Sequence, residues 1–130
     1  MKKSILSILC VIATSILFSS CTKDPIPSKD FTGDNRYIAG LEKMDSSNYD
    51  GHKIISDTYW NYFAQIPGFK KTGANEFILN GTAKSCTDKV LDACRKAESE
   101  LSVQDVGNYG FGIHVLSGAT DYQKLYYHEF

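Results

Sequence analysis

His52, His114 and His128 are the residues that first suggest chemistry, because imidazole nitrogens bind zinc and exchange protons near neutral pH. His114 and His128 fall on the two strands of an expected C-terminal hairpin. With Gly118-Ala119 as its two-residue turn they point to opposite faces. Slipped by one residue they share a face four pairs apart, about 13 Å at about 3.3 Å per residue. Zinc ligands sit about 2 Å from one ion, so these two cannot share it, and they read as surface or sheet-edge histidines. Cys86 stands near a helix start, where the backbone dipole can favour a thiolate. No base lies at a readable spacing, and a small buried residue is the better reading. Gly-x-Ser-x-Gly, Walker and Gly-x-Gly-x-x-Gly patterns are all missing from the sequence. The densest aromatic run is Tyr59-Trp60-Asn61-Tyr62-Phe63. Tyr59 and Phe63, one helical turn apart, face a core, which leaves Trp60 as the candidate contact residue for a sugar or a protein.

The elements that must position these residues follow from periodicity. Ser56 or Asp57 can start a helix over 57–66 in which Tyr59, Phe63 and Ile66 form one stripe, closed by Pro67-Gly68. Residues 76–80, Glu-Phe-Ile-Leu-Asn, read as a strand ending at Asn80-Gly81. Ser85 and Asp88 form a capping pattern for a helix over 86–101, with Val90, Cys94, Ala97 and Leu101 inward and Asp88, Asp92, Arg95, Lys96 and Ser99 outward. Along that helix Cys86 and Cys94 are about 12 Å apart, whereas a disulfide needs Cα atoms within about 7 Å. Unless Cys86 lies outside the helix, two reduced, buried thiols are expected. Tyr109, Phe111, Ile113 and Val115 alternate with small or polar residues as a strand packed on that helix, and 122–130 returns beside it, with Val115 opposite Tyr122 and Ile113 opposite Lys124. Gly110 and Gly112 on the far face suggest that something approaches closely, the 57–66 helix before a ligand. Tyr37 to Met44 fits either element, and the stripe Tyr37, Leu41, Met44 favours helix. Asp45 to Gly51 is a loop by composition.

At the amino terminus Lys2-Lys3 precede an apolar run from Ile5 to Phe18 and then Ser19-Ser20-Cys21. The run is too short for a bilayer, which takes roughly 20 apolar residues as a helix, and it matches a secretory signal. Phe18-Ser19-Ser20-Cys21 resembles the looser lipobox of Bacteroidetes lipoproteins. That resemblance implies cleavage before Cys21, acylation of Cys21, and a domain held at the cell envelope, in the outer membrane; a soluble periplasmic protein carrying a free Cys21 is the alternative. Several acyl chains make such anchoring stable, since each buried CH₂ contributes about 0.8 kcal/mol. Lys23-Asp24 is similar to the charged sorting signals of surface lipoproteins. Residues 1–20 are then the signal, 21–35 the lipidated cysteine and a tether containing Pro25, Pro27 and Gly33, and 36–130 one domain. Of 14 basic residues Lys2 and Lys3 leave with the signal, so 12 remain against 15 acidic ones, a net charge near −3. Nucleic acid is not an expected partner, because phosphate binding needs clustered Lys and Arg. Neither Lys70-Lys71 nor Arg95-Lys96 makes such a cluster.

The expected fold class is α+β, a small antiparallel sheet with helices packed on it and a C-terminal β-α-β-β unit. That order resembles dodecin, the small flavin-storage protein, on Asn80-Gly81-Thr82 before the helix and on Gln123 through Phe130. The resemblance implies a flavin-type carrier, but the family's flavin-stacking Trp is missing from the middle strand. No cofactor or metal is expected. The residues favour a lipid-anchored, non-catalytic binding or assembly module with a protein or glycan partner. A flavin-type carrier is the alternative, and a small envelope enzyme a weaker one.

Overall fold

The computed structural model describes residues 31–118 and 121–130. The elements are β1 (Thr32–Lys43), α1 (Gly51–Phe63), β2 (Lys70–Gly73), β3 (Glu76–Thr82), α2 (Ala83–Leu101), β4 (Gly110–Leu116) and β5 (Gln123–Glu129). The strands form one sheet in the order β2-β3-β1-β4-β5, and every neighbouring pair is antiparallel. This is an α+β fold with two helices on one face of an antiparallel sheet, and its C-terminal β-α-β-β unit is β3-α2-β4-β5. The central strand β1 lies between β3 and β4, so the unit does not close on itself.

β1 is the main departure from expectation. Residues 32–35 belong to the strand rather than to a tether, and Tyr37–Met44 is not helical. Asn35, Tyr37 and Ala39 are buried in alternation with Arg36, Ile38 and Gly40, which is the period of two expected of a strand. The inward set holds a polar Asn and a small Ala, and the outward set holds an Ile, so hydrophobicity alone does not alternate. A bulge between Leu41 and Lys43 breaks the pattern again. Asn35 is tolerated in the core because its amide donates to the carbonyls of Leu79 and Gly81 at 3.2 and 3.1 Å, while its Oδ1 accepts from Ser117 Oγ at 2.6 Å.

Both helices pack on the inward face. Tyr59 stacks on Phe111 with ring centroids 3.8 Å apart, and Phe63 stacks on Phe77 at 5.0 Å. Val90, Cys94, Ala97 and Leu101 of α2 join the same core as Tyr37, Phe77 and Ile113. The helix α2 begins at Ala83, three residues before the expected start, because Thr82 is its cap and accepts from Ser85 N at 3.2 Å. Asp88 instead pairs with Lys84 at 2.8 Å. α1 begins at Gly51, ahead of the expected start, and ends at Phe63, with Ile66 buried in the turn that follows. Lys70 and Lys71, expected in a loop, form the short edge strand β2. In the hairpin Val115 pairs with Gln123 and His114 with Lys124, one residue away from the expected register. A bulge between Ile113 and His114 then brings Ile113 opposite Tyr126. Its effect is to turn both Leu125 and Tyr126 toward the helix layer.

Candidate functional site

The residues singled out for chemistry do not converge. His114 lies on the open face of the sheet, with Nδ1 3.5 Å from Glu42 Oε2. His128 lies on the helix side, with Nδ1 3.6 Å from Glu98 Oε1, so the two histidines occupy opposite faces. Among the described residues no group of three His, Cys, Asp or Glu is placed to hold a metal ion. Cys86 and Cys94 are free and buried. Burial raises both thiols above their ordinary pKa, with Glu98 adding to the effect at Cys94. Neither thiol is primed as a nucleophile. Trp60 is half-buried at the β2-β3 edge, edge-on to Phe77 at 5.5 Å, with Lys71 Nζ 4.4 Å above its ring. Lys71 thus caps one face of the ring. Cys21 lies outside the described residues.

The glycines of β4 have an internal explanation. Helix α1 packs on the opposite face from Gly110 and Gly112, contrary to expectation. A Cβ on Gly112 would collide with the Glu42 carboxylate, and one on Gly110 with the Tyr127 hydroxyl. The close approach is therefore made by neighbouring side chains lying flat across the strand. Glu42 is bracketed by His114 and by Lys124, whose Nζ is 3.3 Å away. Nearby, Arg36 pairs with Glu76, which also accepts from Thr72 Oγ1 at 2.9 Å. Thr72, then Arg36, holds the Glu76 carboxyl below its usual range. This face is a lattice of paired charges, and paired, hydrated groups offer little gain to an incoming partner.

A second polar cluster was not legible in the sequence. The hydroxyls of Tyr59 and Tyr126 are 2.6 Å apart, and Tyr126 donates to the Glu98 carboxylate. Burial raises both phenols, and the bond to Glu98 raises Tyr126 further. Both stay protonated at neutral pH, which suits donors that join β5 to α2 and does not suit a catalytic base. The bulge that turns Tyr126 inward creates this contact, and no local pattern announces it.

The three most exposed large apolar side chains among the described residues lie on loops at the end of the molecule where β1 stops and α1 begins. Met44, Tyr49 and Val103 are 62%, 79% and 86% exposed. They ride on two loops, 44–50 and 102–108, that are braced against each other. Asp45 Oδ1 accepts from Ser47 N at 2.9 Å and Oγ at 2.6 Å, and its Oδ2 accepts from Asn108 N at 2.7 Å. These bonds, Ser47 first, lower the Asp45 pKa. The buried Tyr109 reaches up from below, its hydroxyl 3.0 Å from the Asp45 carbonyl and 2.6 Å from that of Asn48. Asn48 Nδ2 donates to the Asp105 carbonyl at 3.4 Å. Gly51 is required at the head of α1, because a Cβ there would run into the Val106 carbonyl.

No family model, curated protein or solved structure matches the chain. Loops carry function when a rigid scaffold holds them, and two loops tied through one carboxylate and one buried phenol meet that condition. The sequence held a partial signal for it. Asp45-Ser46-Ser47-Asn48 is a run of side chains that bond to nearby backbone, but its partners, Asn108 and Tyr109, are more than sixty residues away.

Proposed function

We propose that this chain is a lipid-anchored module of a bacterial cell envelope, held in the outer membrane through Cys21, which binds a partner and does no chemistry of its own. The observation that supports it most is the braced loop pair, which presents Met44, Tyr49 and Val103 to solvent on a surface fixed by Asp45 and Tyr109. Exposed apolar groups on a pre-ordered frame bind with a small loss of conformational entropy. The partner is a protein or a glycan. The anchor rests on the amino-terminal sequence, and it is tested by mass spectrometry of the mature protein purified from its host. A diacylated or triacylated Cys21 as first residue is the expected result; an unmodified amino terminus at any other position rejects the anchor.

A further inference from the structure

We propose that the Met44-Tyr49-Val103 surface docks an envelope protein that offers an apolar socket rimmed by basic side chains, and that the point of chain entry leaves this surface at the pole that is free to lie away from the membrane. The first described residue, Phe31, is pinned at the opposite pole. Its carbonyl accepts from Ala83 N at 2.9 Å, at the head of α2, and its ring lies over Gly118. From there β1 runs through Lys43, about 40 Å at about 3.3 Å per residue, and Met44 follows at once. The ten residue steps from Cys21 to Phe31 span at most about 35 Å even when fully extended. With the lipid at Cys21, the entry pole stays within about 35 Å of the bilayer, and the loop pole is free to lie beyond it.

Charge and chemistry select the occupant. Asp50 and Asp105 flank the apolar residues and form no ion pair among the described residues, whereas Lys43 is committed to Glu129 and Lys53 to Asp57. An acidic rim is repelled by anionic headgroups and complements basic groups on a protein. Met and Tyr are enriched at protein interfaces, and Met44 and Val103 supply none of the hydrogen bonds a sugar requires. Neither acidic side chain takes part in the brace: Asp105 contributes its backbone carbonyl, and Asp50 makes no capping bond at the head of α1.

The inference rests on the anchored-module reading, and one experiment separates the two. A benzophenone side chain is placed singly at positions 49, 103, 36 and 84 of the full chain, produced in its host and irradiated in intact cells. Positions 49 and 103 should yield an adduct to the same protein, with the crosslinked peptide carrying net positive charge, and positions 36 and 84 should not. With the probe at 103, the double substitution Asp50→Asn and Asp105→Asn, which removes both charges and keeps a favoured residue at the head of α1, should lower the yield at least about tenfold with an unchanged urea midpoint. Tyr49→Ser, which leaves the brace intact, should also lower it. Adducts to lipid or glycan, an adduct of two copies of the chain, equal yields at all four positions, or no adduct would each overturn the docking proposal. Metabolic labelling with an alkyne fatty acid is run in parallel, with Cys21→Ser as the control: if the unsubstituted chain takes up no label, the anchor fails, whatever the crosslinks show.

Discussion

On β1, Asn35, Tyr37 and Ala39 point into the helix layer and are fully buried, while Arg36, Ile38 and Gly40, one residue away, look onto a face that no helix among the described residues covers. The inward face gains from area: Tyr37, Phe77 and Phe63 stack in one set and Tyr59 with Phe111 in another, the two joined by a tilted contact of Tyr59 with Phe63, and each such ring brings a large apolar surface out of water. The outward face is held by pairs, Arg36 with Glu76 and Glu42 with His114 and Lys124. Such solvent-screened pairs contribute little to stability. Adjacent residues on one strand should therefore differ severalfold in what their removal costs.

The sharpest way to break this comparison is Phe111→Ala. It empties the space beneath Tyr59 and should cost about 3–5 kcal/mol, read as a lower urea midpoint. A loss as large from Ile38→Ala would show that the two faces are not distinct. Asn35→Ala comes next, because it strands the Ser117 hydroxyl and removes a donor from the Leu79 and Gly81 carbonyls. A loss of about 1–3 kcal/mol is expected, and a neutral result would mean that water replaces the amide. Gly112→Ala should cost under about 1 kcal/mol, since the colliding atoms are the end of the flexible Glu42 side chain. A larger loss would indicate that the glycine serves the backbone rather than Glu42.

The smallest effect is local to the loop pole. Asp45 has a folded pKa below its unfolded value, so the stability it lends is present above the unfolded value, about 4, and is lost as pH falls through the folded one. Amide exchange at Ser47 and Asn108 should accelerate selectively below about pH 4 while β1 and β4 stay protected. Asp45→Ala should give that faster exchange already at neutral pH. Uniform exchange across the molecule would remove the distinction between a braced loop and the sheet.

Much of the helix layer was legible because burial there follows local periods. The stripes Tyr59, Phe63, Ile66 and Val90, Cys94, Ala97, Leu101 are all buried as read, and the outward residues of α2 are exposed. β1 was not legible, since a strand between two others is defined by its neighbours and can carry Asn35 inward when Ser117 and two carbonyls satisfy it. The loop site was half legible: the turn-forming run was apparent, and the residues it ties to were not.

By itself the amino-acid sequence determined the α+β class, the two helices with their buried stripes and the separation of Cys86 from Cys94. Each of these depends on spacing within a few residues, whereas the opposite faces of His114 and His128 depend on the bulge between Ile113 and His114. Tertiary structure decided that β1 is a central strand, that Glu42 and Tyr127 fill the space over the glycines of β4, that Tyr126 reaches Glu98, and that Asp45 joins loops sixty residues apart. Those outcomes depend on sheet order and on two bulges, and such long-range pairing leaves no period in the chain for a reader to find.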